Sequence, residues 1–208
     1  MRPGEIIGNY SRDAEMLIGR YEGVATELVY GEALAHWPQA PARAIDIGAG
    51  TGRDAAWMAE RGYTVSAVEP SQLRNKGQHI HANREIEWIE DELPGLEKLG
   101  DRKAGFDLVL CNAVWQHIAP QDRPEAMSAL ARLVAPGGRL CLSLRSGPAD
   151  PGRPAYSTNA AESLAQAASH GLKLIWRGDR DSIKPEDKGA GVTWIWLVLE
   201  RSSPSPCP

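Results

Sequence analysis

The chain has 208 residues, enough for one well-buried domain and short for two. Its net charge of −4, with no Lys/Arg-rich run, argues against DNA or RNA as a partner. Three cysteines (Cys111, Cys141 and Cys207) without a C-x-x-C pair argue against a disulfide framework or a metal site, and for a reducing compartment. The opening "MRPGEIIGNYSRDAE" carries no apolar signal core, and no run approaches the ~18 apolar residues of a membrane span. A cytoplasmic protein without membrane contact is expected. The aromatics are lopsided, seven Trp against one Phe, which points to core filling or an aromatic pocket.

In chain order, residues 10–37 place apolar side chains at Ala14, Leu17, Ile18, Tyr21, Ala25, Leu28, Val29 and Leu34, close to the helical period. Gly19, Gly23 and Gly31 interrupt this pattern, so it fits one helix or two, and Pro38 and Pro41 end it. From there strands and helices alternate. Residues 43–47 read as a strand, 53–61 as a helix, and the β-branched 63–69 as a strand. A helix over 71–81 opens on Ser71, and 86–90 is a third strand. The apolar 106–112 reads as a strand covered on both faces. A helix over 124–134 ends at Pro136-Gly137-Gly138, a turn to which no chemistry is assigned, and a strand follows at 139–144. Ser157 or Thr158 opens a helix to His170, and 172–178 and 192–200 are the last strands. No helix is expected between these two, because 179–191 is polar and holds Gly and Pro; the last strand is therefore antiparallel.

This order predicts an α/β fold, a Rossmann-like, doubly wound, seven-stranded sheet that is mostly parallel. A helical N-terminal lid is expected over 1–40, the main domain over 41–201, and a fraying Pro/Ser tail over 202–208.

The stretch "AIDIGAGTGRD" (44–54) lies where a strand turns into a helix, the place at which an open α/β sheet binds its ligand. Without the lysine of G-x-x-x-x-G-K-[ST], it is not a mononucleotide P-loop. The third glycine, Gly52, comes one residue early for the dinucleotide fingerprint, and Asp46 opposes a pyrophosphate. A carboxylate instead suits a cofactor with an ammonium and a sulfonium. Glu69 ends the second strand, 17 residues after Gly52, where an acid accepts hydrogen bonds from ribose hydroxyls. It disfavours NADP and does not separate NAD from S-adenosylmethionine.

With "IDIGAGTGRDA" (45–55), "VSAVEPS" (65–71), "WIEDELP" (88–94), "FDLVLCNAVWQHI" (106–118) and "LARLVAPGGRLCLSL" (130–144), the chain resembles the class I S-adenosylmethionine-dependent methyltransferases of the small, general methyltransferase-domain type. The matches run in the family's order over about half the chain. The resemblance implies S-adenosylmethionine as cofactor and S-adenosylhomocysteine as product. It places Asp46, Gly48, Ala49 and Gly50 at the methionine half and Glu69 at the ribose. One of Glu90, Asp91 and Glu92 meets the adenine, with Asp91 preferred and Glu92 next. The backbone at Asn112 and Ala113 passes near the sulfonium. Tyr21, with Tyr10, caps the methionine end.

Methyl transfer from a sulfonium is an in-line displacement in which positioning does much of the work, and a general base helps a hydroxyl or protonated amine acceptor. His117, after the fourth strand, is the candidate base. Trp115 is a candidate wall of the acceptor pocket, Tyr10 a second contact, and Arg145 a candidate for an acceptor carboxylate. "CNAV" after the fourth strand lacks the Asp/Asn-Pro-Pro-Tyr of methyltransferases acting on base or amide nitrogens, and no acidic cluster suggests a catechol-type metal site. A small-molecule acceptor fits best, with the methylated atom open among O, N, S and C. Two alternatives stand beside this reading: a non-methylating user of the same cofactor, such as a cyclase, and a NAD-binding oxidoreductase.

Overall fold

The computed structural model describes residues 3–100, 105–149 and 153–203. Three N-terminal helices, α1 (Pro3–Arg12), α2 (Ala14–Glu22) and α3 (Thr26–Tyr30), lead through a 3₁₀ turn (Gly31–His36) into the alternating core. There follow β1 (Arg43–Ile47), α4 (Arg53–Glu60), β2 (Thr64–Val68), α5 (Leu73–Ile80), β3 (Ile86–Ile89), β4 (Phe106–Cys111), α6 (Arg123–Leu133), β5 (Val134–Ser146), α7 (Ala160–Ser169), β6 (Leu172–Asp181), α8 (Pro185–Gly189) and β7 (Thr193–Arg201). One seven-stranded sheet has the order β3-β2-β1-β4-β5-β7-β6. The pairs from β3 to β5 are parallel, and β7 inserts antiparallel between β5 and β6. This is the architecture the sequence predicts.

Strands β1 and β4 are buried on both faces over most of their length, which accounts for the apolar run Leu108–Cys111 in β4, while β1 carries Asp46 to its buried end. Ile45, Ile47, Val109 and Leu142 pack under α6 and α7 with Met127 and Leu130. Ala44, Leu108, Leu110 and Cys141 pack on the opposite face with Ala55, Met58, Tyr30 and Trp37. Six of the seven tryptophans (37, 57, 88, 176, 194 and 196) belong to this second layer, so the lopsided aromatics are mostly one cluster. Tyr30 touches Trp37 and Trp196 at centroid distances of 4.7 and 4.9 Å, docking the N-terminal segment on the sheet. Cys111 and Cys141 are free and buried within the core, and burial pushes the Cys141 thiol up to about 12. Cys207 lies outside the described residues.

Several boundaries differ from the reading of the sequence. Helix α5 starts at Leu73, with the Ser71 hydroxyl accepting the Leu73 N–H at 3.2 Å from just outside the helix. The side chain capping α7 is Asn159, which accepts the Ala161 and Glu162 N–H groups at 2.8 and 3.3 Å. The Thr158 hydroxyl instead donates to the Arg145 carbonyl at 2.9 Å. Between β6 and β7 a short helix, α8, does form, with Pro185 at its start and Glu186 and Asp187 in its first turn. Pro136, Gly137 and Gly138 run within β5 where its ladder with β4 shifts register.

Candidate functional site

The strand order reverses between β1 and β4, and a cavity of about 340 Å³ opens beyond the carboxyl ends of these strands. Of the residues singled out for a site, all line it except Trp115 and the adenine candidate Glu90. Trp115 is corrected: it is 0% exposed and belongs to the core under α6. A 3₁₀ turn over Trp115–His117 swings its indole inward while His117 reaches the cavity.

The glycine loop spends its amides internally. Gly48 and Ala49 N–H both donate to the Val68 carbonyl, at 2.8 and 2.9 Å. Gly50 N–H donates to Glu69 Oε2 at 2.8 Å, and Gly52 N–H to the Ala49 carbonyl at 2.8 Å. Four of the loop's amides are thus taken, two by β2, one by a carboxylate and one within the loop. The glycines themselves are steric. A Cβ on Gly48 (φ +75°) would sit 2.3 Å from Val114 Cγ2, and one on Gly52 (φ +81°) 2.4 Å from the Trp88 ring. Gly52 therefore serves helix packing, and its early position follows from Trp88. A Cβ on Gly50 would meet only the Tyr21 ring, at 3.6 and 3.7 Å.

Two buried carboxylates face the loop. Glu69 is 7% exposed; beyond Gly50 it accepts the Ser71 N–H at 2.9 Å, so each oxygen keeps a lone pair for a ribose hydroxyl. Asp46 is 3% exposed, and no hydrogen bond reaches its carboxyl from the described residues. Burial, and then the Asp54 charge, hold its pKa well above the ordinary carboxylate range. Asp54 is compensated, by Thr26 Oγ1 at 2.8 Å, the Tyr30 hydroxyl at 2.9 Å and a bidentate Arg53 at 2.8 Å. Asp46 thus has the character of a site awaiting a cation.

Of the three acids after β3, Glu90 pairs with Arg74 at 2.7 Å, half exposed and outside the cavity. Asp91 and Glu92 line the cavity. Asp91 also accepts the Glu92 and Leu99 N–H groups at 2.9 and 3.1 Å, pinning the loop they belong to. Burial, with Asp91 beside it, raises the Glu92 pKa.

At the end of β4, Ala113 holds a left-handed φ of +58°, a conformation costly for alanine. Ser143, fully buried on β5, sustains it: its hydroxyl accepts the Ala113 N–H at 2.8 Å and donates to Asn112 Oδ1 at 3.0 Å. Gln116 Nε2 closes the turn on the Ala113 carbonyl at 2.6 Å. Neither Ser143 nor Gln116 is marked by a sequence motif.

His117 has a determined tautomer. Its Nδ1 lies 3.0 Å from the Pro154 carbonyl, which only accepts, so Nδ1 carries the proton. Nε2 is therefore a lone pair, and it accepts from the Tyr10 hydroxyl at 3.1 Å. Burial first, and then Arg145 and Arg153, keep the imidazole pKa below its usual value, opposed by the Pro154 bond. His117 is thus a neutral base at the edge of the cavity. Tyr10 and Tyr21 come from α1 and α2, which close one side. Arg145 lines the cavity and donates to the Gly147 and Pro148 carbonyls at 3.3 and 2.7 Å. Among the described residues no cluster of three His, Cys, Asp or Glu could hold a metal ion, and no helix is long and apolar enough to cross a membrane.

A buried carboxyl with no donor among the described residues, a ribose-ready Glu69 and a loop whose Gly48, Ala49, Gly50 and Gly52 amides are already bonded together fit a cationic adenosine cofactor. Comparisons agree. The family model described as "Methyltransferase domain" matches residues 23–183. A ubiquinone biosynthesis O-methyltransferase of Xanthomonas oryzae pv. oryzae (strain PXO99A) is 30% identical over 169 residues, 79% of this chain. The chain spans 66% of that relative's length. A solved S-adenosylmethionine-dependent methyltransferase of Methanosarcina mazei superposes with a TM-score of 0.68 at 14% identity, over 83% of this chain and 98% of that one. A Burkholderia thailandensis 1,6-didemethyltoxoflavin-N1-methyltransferase, solved with its substrate and S-adenosylhomocysteine, superposes with a TM-score of 0.64 at 17% identity, over 98% and 92%. With the family model spanning most of its length and the sheet order and site in agreement, the chain belongs to the methyltransferase-domain family, of the class I S-adenosylmethionine-dependent type.

Proposed function

We propose that the chain transfers the methyl group of S-adenosylmethionine to a hydroxyl of a small-molecule acceptor in the cytoplasm. The observation that carries the reading is a buried Asp46 with no hydrogen-bond donor among the described residues, on the same cavity as a neutral His117 whose Nε2 carries a lone pair rather than a proton. When bound, the cofactor supplies an electrophilic methyl group on a sulfonium. Asp46 and Tyr21 hold its amino-acid end, Gly48, Ala49 and Gly50 let it approach the backbone, and Glu69 takes the ribose. Asp91, seconded by Glu92, takes the adenine. Asn112 and Ala113, fixed by Ser143, form the floor next to the reacting atoms.

His117 Nε2 accepts the proton of the acceptor hydroxyl as that oxygen attacks. Tyr10, which now donates to this lone pair at 3.1 Å, occupies the position an acceptor hydroxyl would take. The N-terminal segment acts as a lid, since Ile6, Tyr10 and Tyr21 line the cavity from α1 and α2; residues 41–201 form the catalytic domain, and most of the tail expected at 202–208 lies outside the described residues. The relatives named as O-methyltransferases support oxygen as the methylated atom. The test is a methyl-donor assay with pooled hydroxylated and aminated metabolites and mass detection. Oxygen-methylated products support the proposal; products methylated only at nitrogen, sulfur or carbon, or cofactor turnover without methylation, overturn it.

A further inference from the structure

Four of the cavity's acids, Asp46, Glu69, Asp91 and Glu92, stand at or just past the ends of β1, β2 and β3. Across β4, on the other flank, stand Arg145 of β5 and Arg180 of β6. Strand β7 lies between these two, and its register sets Trp194 directly opposite both arginines. Side chains directly opposite one another across a ladder share a face of the sheet. Arg145, Trp194 and Arg180 therefore form one row, an indole flanked by two guanidinium groups, and all three line the cavity. The row below on that face is Ser143, Trp196 and Gly178, and Ser143 is the residue that holds Asn112 and Ala113. The arginine row thus continues the floor of the site.

Among the described residues neither arginine has an acid as a hydrogen-bond or ion-pair partner. Arg145 donates to the Gly147 and Pro148 carbonyls, and Arg180 to the Leu28 carbonyl at 3.0 Å while lying 5.5 Å over the Trp196 ring. Asp181 on the same flank pairs with Lys188 at 3.3 Å. Each guanidinium carries five N–H donors, and these bonds use only part of them. Burial lowers the Arg180 pKa, the direction expected of a desolvated cation. Arg145 is also close enough to influence His117 electrostatically, which links the row to the base.

We propose that the acceptor is an aromatic acid, its ring against Trp194, its carboxylate held between Arg145 and Arg180, and its hydroxyl presented to His117. A guanidinium fork matches a carboxylate bidentately, and an indole offers a flat apolar face to a ring. This rests on the methyltransferase reading.

The test is calorimetric titration of the unmodified chain, saturated with S-adenosylhomocysteine, with matched probes: 3-hydroxybenzoate, 4-hydroxybenzoate and 3,4-dihydroxybenzoate, each against its benzamide. Each pair has the same shape and differs in charge. At least one acid should bind tenfold or more tightly than its amide. In R145Q/R180Q the acid and amide should bind within a factor of about three, and R145K/R180K should recover part of the preference. Both variants should keep their affinity for S-adenosylhomocysteine, which reports that they fold. Amides binding as tightly as acids, no member of any pair binding, or a preference that survives R145Q/R180Q overturns the inference. Failure of the unmodified chain to bind S-adenosylhomocysteine sinks the underlying reading instead, so the two failures are distinguishable.

Discussion

Asp46→Asn separates the two roles the site demands of one carboxyl. In the free protein Asp46 is 3% exposed and receives no hydrogen bond from the described residues, with Asp54 and Glu69 adding like charge. Its folded pKa lies above its unfolded value, so between the two the native state holds the extra proton. Stability contributed by this group is therefore lost as pH rises through that window. The substitution removes the buried charge but keeps a polar amide, so the free chain should hold or gain stability at neutral pH and lose this pH dependence. Cofactor binding should move the other way. A hydrogen bond to a charged group contributes about 1.5–3 kcal/mol, so losing the carboxylate opposite the cofactor's ammonium should weaken S-adenosylhomocysteine about 10- to 150-fold. In the unmodified chain affinity should rise with pH above the ordinary carboxylate range, because binding expels the Asp46 proton; in D46N that slope should vanish. Thermal unfolding and calorimetric titration across pH 5 to 8 read both effects. An affinity unchanged in D46N, or a free chain that loses stability, would refute the assignment of Asp46 to the cationic end.

Other outcomes follow from the same geometry. Because burial lowers the folded pKa of His117, the imidazole is neutral at pH 7, and the acid limb of kcat should fall at a pKa below 6.5. H117A should slow turnover by about 10²–10⁴-fold, abolish that limb and leave S-adenosylhomocysteine affinity unchanged; a limb that persists removes His117 as base. S143A leaves the buried Ala113 N–H without its acceptor and should cost about 1–3 kcal/mol in thermal or denaturant unfolding, with weaker cofactor binding. G48A, which drives a Cβ to 2.3 Å from Val114 in a left-handed conformation, should destabilise the fold, and V114A should restore part of the loss in the double variant. An additive double variant would mean the clash is relieved elsewhere.

The parts legible in the sequence were those written in local chemistry. The run at β4 announces burial on both faces, and the glycines after Ile47 announce backbone that bends sharply. Trp115 misleads because the turn after β4 rotates successive side chains out of a strand-like alternation, so a residue two positions from His117 points to the core. Ser143 is invisible because a lone hydroxyl inside "LCLSL" looks like a break in an apolar strand; its partners lie 30 and 31 residues away. Of the Arg145–Trp194–Arg180 row only Arg145, just past β5, has a local signal; its joining to Trp194 and Arg180 does not, since β7 inserts between two strands that precede it in the chain. Asn159 displaces Ser157 and Thr158 as cap for a related reason: Thr158 is drawn to the Arg145 carbonyl.

The central claim is that the loop at Gly48–Gly52 and the acids Asp46 and Glu69 receive a cationic adenosine cofactor and no pyrophosphate. Its most direct measurement is calorimetric titration of the unmodified chain with S-adenosylhomocysteine and, separately, with NAD. Saturable one-to-one binding of S-adenosylhomocysteine, weakened at least tenfold by E69A, and no heat from NAD is the result expected. Tight binding of NAD with no response to S-adenosylhomocysteine would contradict it.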